Sequence, residues 1–247
     1  MKSNTSRNPG DTREQIESAT PRVRVWDLPT RVFHWTLVLS FAAAWLSADS
    51  ERYRNLHLMM GYTFAGAIVF RLIWGLLGSR YARFSSFIFN RSELFDYLGS
   101  LLSRRPRHYL GHNPAGAVAI FAMLGLGVAV ASSGIAAYQE VGGEWMEELH
   151  EWLATTLLAV VAVHVLGVIV SSVLHRENLA MAMLTGWKAG RSSDGIESVR
   201  PLVGMLLLAG VVAFWLTYSN LPMQPELATD SPAATHAGTP RHLTGDD

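Results

Sequence analysis

The sequence predicts an all-α integral membrane protein with five transmembrane helices. Hydrophobic residues make up 49% of its 247 residues and charged residues only 16%, a mixture more typical of membrane proteins than of soluble domains. Five apolar runs are long enough to cross the hydrocarbon core of a bilayer, which is about 30 Å thick. They cover residues 32–48, 56–77, 115–138, 149–174 and 201–218. We therefore expect the lipid bilayer to be the main partner and no separate soluble domain.

The sequence contains no cysteine. This excludes disulfide bonds, iron–sulfur clusters held by thiolates, and covalently attached c-type haem, which needs a Cys-x-x-Cys-His motif. Any redox cofactor must therefore be held by other ligands, and histidine is the obvious candidate.

The distribution of charge predicts which loops face the cytoplasm. Basic residues are concentrated before the first run, between the second and third, and between the fourth and fifth, whereas residues 139–148 carry four glutamates and no base. Because arginine and lysine mark the cytoplasmic side, we expect the N-terminus inside and the acidic loop outside. After an odd number of spans, the C-terminal tail is also outside. The first run is not expected to be a cleaved signal, because the polar stretch before it is too long.

Histidines mark the first two spans. His34 lies just inside the first span, near its cytoplasmic edge, and His57 lies near the outer edge of the second span, which runs from outside to inside. Taken singly, each is equally well explained as a side chain that reaches the membrane interface.

The fourth span carries two more histidines, His150 and His164, which are fourteen residues apart. At about 1.5 Å and 100° per residue, they are separated by about 21 Å along the helix and about 40° around it. One face of this helix thus presents a histidine near each edge of the bilayer.

Depth sorts the four histidines into two pairs on different helices: His34 with His164 at the cytoplasmic level, and His57 with His150 at the outer level. Such pairs are typical of bis-histidine ligation of b-type haem, and ionisable residues inside a membrane are functional candidates. The sequence therefore predicts a four-helix haem-binding transmembrane bundle with a fifth C-terminal transmembrane helix, holding two non-covalent haem b groups. In the competing interpretation, the four histidines only form hydrogen bonds between packed helices.

Glycines near the histidines are candidates for haem contacts. Gly61 follows His57 by one turn and Gly167 follows His164 by three residues, so each would let a flat macrocycle approach the backbone. Ordinary helix packing also uses such glycines. The third span has no histidine, but its four glycines, at 116, 125, 127 and 134, permit close packing against a helix or a porphyrin.

Two arginines are candidates for pairing with haem propionates. Arg31 lies one turn before His34, and Arg71 lies inside the second span, where a buried charge needs a partner. The alternatives are a positive-inside anchor for Arg31 and, for Arg71, a side chain that reaches the interface.

Residues 90–103 are predicted to form a short helix on the membrane surface. After it, Asn113 could hydrogen-bond the headgroup of a quinone, which would bind near the inner haem, or it could cap the third span. We interpret His112 as an interfacial turn residue rather than as a ligand or proton carrier. His175 lies on nearly the same face of the fourth helix as His164 and is therefore an alternative ligand for the inner haem. Its depth, however, places it among the lipid headgroups.

Several motifs occur in order along the chain. They are VWDLPTRVFHW at 25–35, LHLMMGY at 56–62, FRLIWG at 70–75, GHNPAG at 111–116 and HRENL at 175–179. Together they resemble the bacterial cytochrome b561 family, and more narrowly its branch of nickel-iron hydrogenase b-type cytochrome subunits. The resemblance covers about residues 24–188. It implies the same histidine pairs, a bacterial inner membrane, and electron transfer between membrane quinone and a periplasmic redox subunit or c-type cytochrome.

We therefore expect a diheme b-type cytochrome. An electron-transfer subunit of an oxidoreductase complex is favoured over a stand-alone enzyme. The alternatives are a stand-alone superoxide:quinone oxidoreductase and a non-redox anchor or transporter; no nucleic acid partner is expected. The expected division is a disordered cytoplasmic segment (1–23), a cytochrome b561-like transmembrane domain (24–190), a linker with the fifth transmembrane helix (191–219) and a disordered periplasmic tail (220–247).

Overall fold

Seven α-helices, three short 3₁₀ helices and two short strands make up the regular structure of the described residues, which are 21–103 and 109–220 of a computed structural model. The helices are α1 (Leu28–Ser47), α2 (Arg54–Leu77), α3 (Arg91–Leu102), α4 (Pro114–Tyr138), α5 (Glu144–His175), α6 (Leu179–Thr185) and α7 (Pro201–Ser219). The strands are β1 (Arg22–Arg24) and β2 (Trp187–Ala189). Of the two segments expected to be disordered, 1–23 and 220–247, residues 1–20 and 221–247 lie outside the described residues. Residues 22 and 23, which fall in the first of those segments, form part of β1.

The helix boundaries follow from capping residues. Asp27 accepts a hydrogen bond from Thr30 N at 2.8 Å and caps α1, which has a proline in its first turn. Asn113 caps α4 in the same way, and α6 ends at Gly186, whose φ of 85° suits a glycine. Helix α5 extends beyond the fourth apolar run toward its N-terminus. It begins at Glu144, directly after Gly143.

Four of these helices are long and apolar enough to span a membrane: α4, α5, α7, and α2 together with the turn before it, as residues Glu51–Leu77. Helix α1 has twenty residues, but Arg31 and His34 lower its mean hydropathy, so its span remains a prediction. The protein is thus a multi-pass helical membrane protein.

The helices run alternately between two ends of the molecule. We call the end where α1 begins the arginine-rich end, since Arg80, Arg83 and Arg176 lie there. The opposite end carries the exposed residues Glu140 and Glu144 and is called the glutamate-rich end.

Helix α1 packs against α2, α4 packs against α5, and α2 joins the two pairs by packing against α4. Their shared core contains Phe64, Ile68, Leu124, Val130 and Leu157. Among the described residues, α5 packs far more closely on α4 than on α1 or α2. Helix α7 lies against α1 and touches α2, where Trp215 donates to Thr63 at 2.9 Å. Space is therefore left between α5 and the α1–α2 pair.

A two-stranded antiparallel sheet lies at the arginine-rich end and was not expected from the sequence. Strand β1 pairs with β2, with Val23 opposite Lys188. The carbonyl of Gly186 also accepts from the backbone N–H groups of Val25 and Trp26, at 2.9 and 3.3 Å. The segment before α1 is thereby held to the segment after α6.

Candidate functional site

The imidazoles of His57 and His150 face each other at the glutamate-rich end. Their ring centroids are 6.2 Å apart and their planes are nearly perpendicular, at 87°. His57 lies on α2 and His150 on α5, two helices whose backbones stay apart. The pair therefore spans the space between the helices.

Backbone carbonyls fix the orientation of both rings. His57 Nδ1 lies 2.9 Å from Ala44 O, and His150 Nδ1 lies 3.1 Å from both Val130 O and Ser133 Oγ. Because a carbonyl oxygen can only accept, these contacts put the proton on Nδ1 and leave Nε2 with a free lone pair. Metal-ligating histidines almost always donate their other ring N–H in this way.

The spacing of the two rings fits a single metal atom between them. A bond of about 2 Å from a metal to one nitrogen of each imidazole would separate two opposed ring centroids by about 6 Å. His57 and His150 meet that spacing with both Nε2 atoms available. Two imidazoles at this spacing are a donor set that would suit a haem iron.

Helix α4 contributes to this site through residues that were not predicted as site residues. A Cβ atom on Gly134 would lie 2.8 Å from His150 Cε1, so only glycine gives the imidazole room. Ser133 is buried beside it. The sequence shows Gly134 only as one of four glycines in α4; its contact depends on where α5 lies.

His34 on α1 and His164 on α5 form the second expected pair, toward the arginine-rich end. Each is half-buried, and the two lie within electrostatic range of one another. His34 Nδ1 is enclosed and has no hydrogen-bond partner among the described residues. Within the described part of the chain, His34 therefore lacks the carbonyl contact that orients His57 and His150.

The two candidate arginines bind backbone carbonyls. Arg31 donates from its guanidinium to Leu184 O, near the C-terminus of α6, while its Nε is enclosed without a partner. Arg71 is buried, at 4% exposure, and donates to Ala82 O at 2.9 Å. A propionate contact for either arginine remains a prediction, and so does the alternative in which the Arg71 side chain reaches the membrane interface.

An aromatic cage surrounds the Arg71 guanidinium. Its Cζ lies 4.6 Å from the ring centroid of Phe84, 5.3 Å from that of Phe33 and 5.8 Å from that of Phe87. Cation–π contacts are strongest when the cation is desolvated. Asp27, which is fully buried and accepts from Trp74 Nε1 at 3.2 Å, adds a favourable negative charge. The sequence signal for Asp27 was its place before Leu-Pro, typical of a helix cap.

His112 packs between Trp26 and Phe87, with ring centroids at 4.8 and 4.5 Å. It is therefore a packed residue in the turn before α4, and its position at the membrane interface remains a prediction. Burial lowers the pKa of His112 well below its ordinary value, and the charges of Arg71 and Lys188 lower it further. At neutral pH its imidazole is uncharged, with Nδ1 enclosed and unpartnered among the described residues.

Asn113 and the two candidate glycines have simpler surroundings. Asn113 Oδ1 accepts from Gly116 N at 2.7 Å, so it serves as the cap of α4; its contact with a quinone is still a prediction. A Cβ atom added to Gly61 or Gly167 would meet nothing within 4 Å. Both glycines thus border open space, and their contacts with haem also remain predictions.

These observations define a class: a helical membrane protein in which histidines from different helices face each other across the space between them. The chain belongs to the prokaryotic cytochrome b561 family, whose family model it matches over residues 25–186. It is accordingly a b-type cytochrome that carries haem b and transfers electrons. The match ends before α7, which therefore lies outside the shared region.

The chain is also similar to proteins described as probable Ni/Fe-hydrogenase B-type cytochrome subunits. That of Rhodobacter capsulatus is 27% identical over 78% of this chain and 92% of its own length. That of Azotobacter vinelandii is 25% identical over 72% and 93%, respectively, and that of Cupriavidus necator 24% over 66% and 86%. No solved structure matches the chain.

Proposed function

We propose that this protein is a diheme b-type cytochrome that carries electrons across a bacterial inner membrane, between quinone and a periplasmic nickel-iron hydrogenase. The observation that supports it best is the pair His57–His150, with ring centroids 6.2 Å apart and both Nδ1 atoms on backbone carbonyls. We assign this pair to an outer haem and His34–His164 to an inner haem. The proposal includes five spans, with the N-terminus cytoplasmic and the C-terminus periplasmic.

The chain's own residues hold and orient the ligands. The Ala44 and Val130 carbonyls accept from the imidazoles of the outer pair, which makes their Nε2 atoms more basic and fixes their direction. Haem supplies a one-electron carrier at each level, and its potential depends on ligands, hydrogen bonds and burial. His150 and His164 lie about 21 Å apart along α5, so the two levels form a path along the membrane normal.

The relatives favour a subunit of a larger complex over a stand-alone superoxide:quinone oxidoreductase or a non-redox transporter. Those proteins are described as hydrogenase cytochrome subunits and share most of their length with this chain. We place the hydrogenase contact at the glutamate-rich end, beside the outer pair, and quinone near the inner pair. A c-type cytochrome in place of hydrogenase is the alternative partner.

Haem counting in single-histidine variants tests the two-haem assignment. We expect about two haem b groups per chain in purified wild-type protein, measured as the pyridine haemochrome. Substitutions His57→Ala and His150→Ala should each remove the same centre, while His34→Ala and His164→Ala should each remove the other. His175→Ala is the matched control and should retain both. Loss of one common centre in all four variants would refute the assignment.

Reduction by hydrogen tests the partner. In membranes that contain nickel-iron hydrogenase, H₂ should reduce the cytochrome, and affinity-tagged wild-type protein should co-purify with the hydrogenase subunits. The His34→Ala variant should still co-purify but pass no electrons to quinone. If H₂ leaves the haems oxidised while c-type cytochrome reduces them, the hydrogenase partner is excluded and the alternative is supported.

A further inference from the structure

An open groove lies between α3 and α4 at the arginine-rich end. Its volume is about 320 Å³, which is at the small end of the range for ligand pockets. Its walls come from the segment before α3, the start of α3 and the first two turns of α4, and they include Phe87, Ile88, Leu94, Val118 and Phe121. An α-helix with its side chains is about 10–12 Å across, so the groove is too small for a helix and suits a single extended chain.

The groove is apolar over most of its length. Phe87 is buried and forms its inner wall, while Val118 and Phe121 are 54% and 42% exposed at its outer edge. The residues of α4 that line it extend from Pro114 to Phe121, which is about 10 Å along the helix. A hydrocarbon chain that lies along α4 in this groove would therefore have apolar contacts on both sides.

The end of the groove at the start of both helices is positively charged. Among the described residues that line it, Arg91 alone carries a charge. Helix α3 begins with Arg91 and α4 with Pro114, so the macrodipoles of both helices add partial positive charge there. Glu93, the acidic residue in the first turn of α3, does not line the groove and accepts from Asn90 N at 2.8 Å. This end of the groove therefore favours an anion.

The surface of α3 brings Arg91 to the level of the lipid headgroups. Phe95 and Leu98 are exposed, whereas Tyr97 is buried. Arg91, Phe95 and Leu98 share one side of α3, because they are four and three residues apart. A helix with an exposed apolar side at the end of a membrane bundle lies in the interface plane. The guanidinium is then among the headgroups, while the groove runs along α4 toward the hydrocarbon core.

We infer that this groove binds one anionic phospholipid. Arg91 binds the phosphate, and one acyl chain lies along α4 between Phe87 and Phe121. A headgroup with a net negative charge is favoured over a zwitterionic one, since the guanidinium repels the ammonium group of the latter. A quinone tail would fill only the apolar part and would leave Arg91 without an anion. This site does not depend on which histidines bind haem.

A bound lipid should stabilise the arginine-rich end of the bundle. Phe87 borders the groove on one side, and on the other its ring centroid lies 4.5 Å from that of His112 and 5.8 Å from Arg71 Cζ. The Phe87 ring also contacts Phe121, at 5.6 Å between centroids. Because a ligand that binds only the folded state raises stability, occupancy of the groove should raise the unfolding temperature.

Native mass spectrometry of the delipidated full-length protein measures this binding. The probes are phosphatidylglycerol and phosphatidylcholine with the same acyl chains. One arginine near the membrane surface changes affinity about fivefold, so wild type should bind phosphatidylglycerol about fivefold more tightly than phosphatidylcholine. Arg91→Gln should remove this preference and the rise in unfolding temperature. The matched control is Arg83→Gln, an exposed arginine in the preceding loop that does not line the groove, and it should keep both.

A second pair of variants tests the part of the groove that holds the acyl chain. Val118→Trp would fill the groove, so both lipids should bind more weakly. Val128→Trp, at a valine of α4 that is 42% exposed and does not line the groove, should behave as wild type.

Two results would overturn the inference. The first is equal affinity of the wild type for the two lipids, or a preference for phosphatidylglycerol that survives in Arg91→Gln. The second is a loss of binding in Val118→Trp alone, which would indicate an uncharged occupant such as a quinone tail. If Val118→Trp does not assemble, the comparison of Arg91→Gln with Arg83→Gln decides.

Discussion

Substitution of Gly134 by alanine should weaken the outer haem site alone. The added Cβ would lie 2.8 Å from His150 Cε1 and 3.1 Å from His150 Nδ1. Carbon atoms pack at about 3.5 Å or more, so the imidazole must withdraw by about 0.7 Å. Because Val130 lies on the same helix as Gly134, that movement also stretches the 3.1 Å contact of His150 Nδ1 with Val130 O beyond hydrogen-bonding range.

The size of the effect follows from three contributions. Overpacking costs about 1–3 kcal/mol, and loss of the hydrogen bond costs about 1 kcal/mol. Replacing glycine by alanine inside a helix returns up to about 1 kcal/mol. The net loss of about 1–3 kcal/mol corresponds to haem binding that is weaker by roughly tenfold or more.

The assay measures retention of each haem in purified protein, with Gly125→Ala as the matched control on the same helix. A Cβ atom on Gly125 meets nothing within 4 Å, so that variant should behave as wild type. We expect Gly134→Ala to release the outer haem about tenfold faster and to leave the inner haem unchanged. Equal release from Gly134→Ala and Gly125→Ala would show that His150 does not ligate haem in this position.

Three further predictions concern the protein around the haem sites. Asp27→Ala should lower the free energy of unfolding by about 2–3 kcal/mol, since it removes a helix cap and the acceptor of an enclosed indole. Thermal unfolding in detergent measures this change. The control Asp49→Ala, at an exposed position, should have no such effect. Burial lowers the pKa of His112, so the unfolded chain binds a proton that the folded protein does not, and stability should decrease as the pH falls below about 6.5. His112→Gln should lessen that decrease, as unfolding temperatures at pH 5 and 7.5 would show. Trp215→Phe should weaken the packing of α7 on α2 by about 1 kcal/mol. The rate of disulfide cross-linking between cysteines placed in these two helices should then rise. Unchanged rates would contradict a role for the hydrogen bond between Trp215 and Thr63.

The helices were largely predictable because long apolar runs leave few alternatives in a bilayer. Four of the five runs correspond to helices that qualify as spans. The first, α1, is also helical, but Arg31 and His34 make it less apolar. Helix α3, Arg91–Leu102, was predicted to within a residue at each end, as residues 90–103.

The surroundings of the histidines were less predictable. Pattern and charge place His57 and His150 at one depth, but their Nδ1 partners are the backbone carbonyls of Ala44 and Val130. Every residue type has a backbone carbonyl, so the sequence does not mark these partners. The role of Gly134 depends on the approach of another helix. Three-residue strands such as β1 are too short to show a periodic pattern.

The cage around Arg71 was also not predictable from the sequence, because its rings come from separate segments of the chain. Its rings, Phe33, Phe84 and Phe87, come from α1 and from the segment between α2 and α3. None of them lies at helical spacing from Arg71. Only the burial of a charge inside a span pointed to an unusual environment.

The small sheet at the arginine-rich end restrains the proposed inner haem site. Strands β1 and β2 join the chain just before α1 to the chain just after α6, and so tie together two helices, α1 and α5, that scarcely touch within the bundle. His34 and His164 lie on those two helices. These six residues therefore limit how far apart the two imidazoles can drift, and in the proposed assignment, where both bind the inner haem, they help to keep the two ligands within bonding distance of one iron.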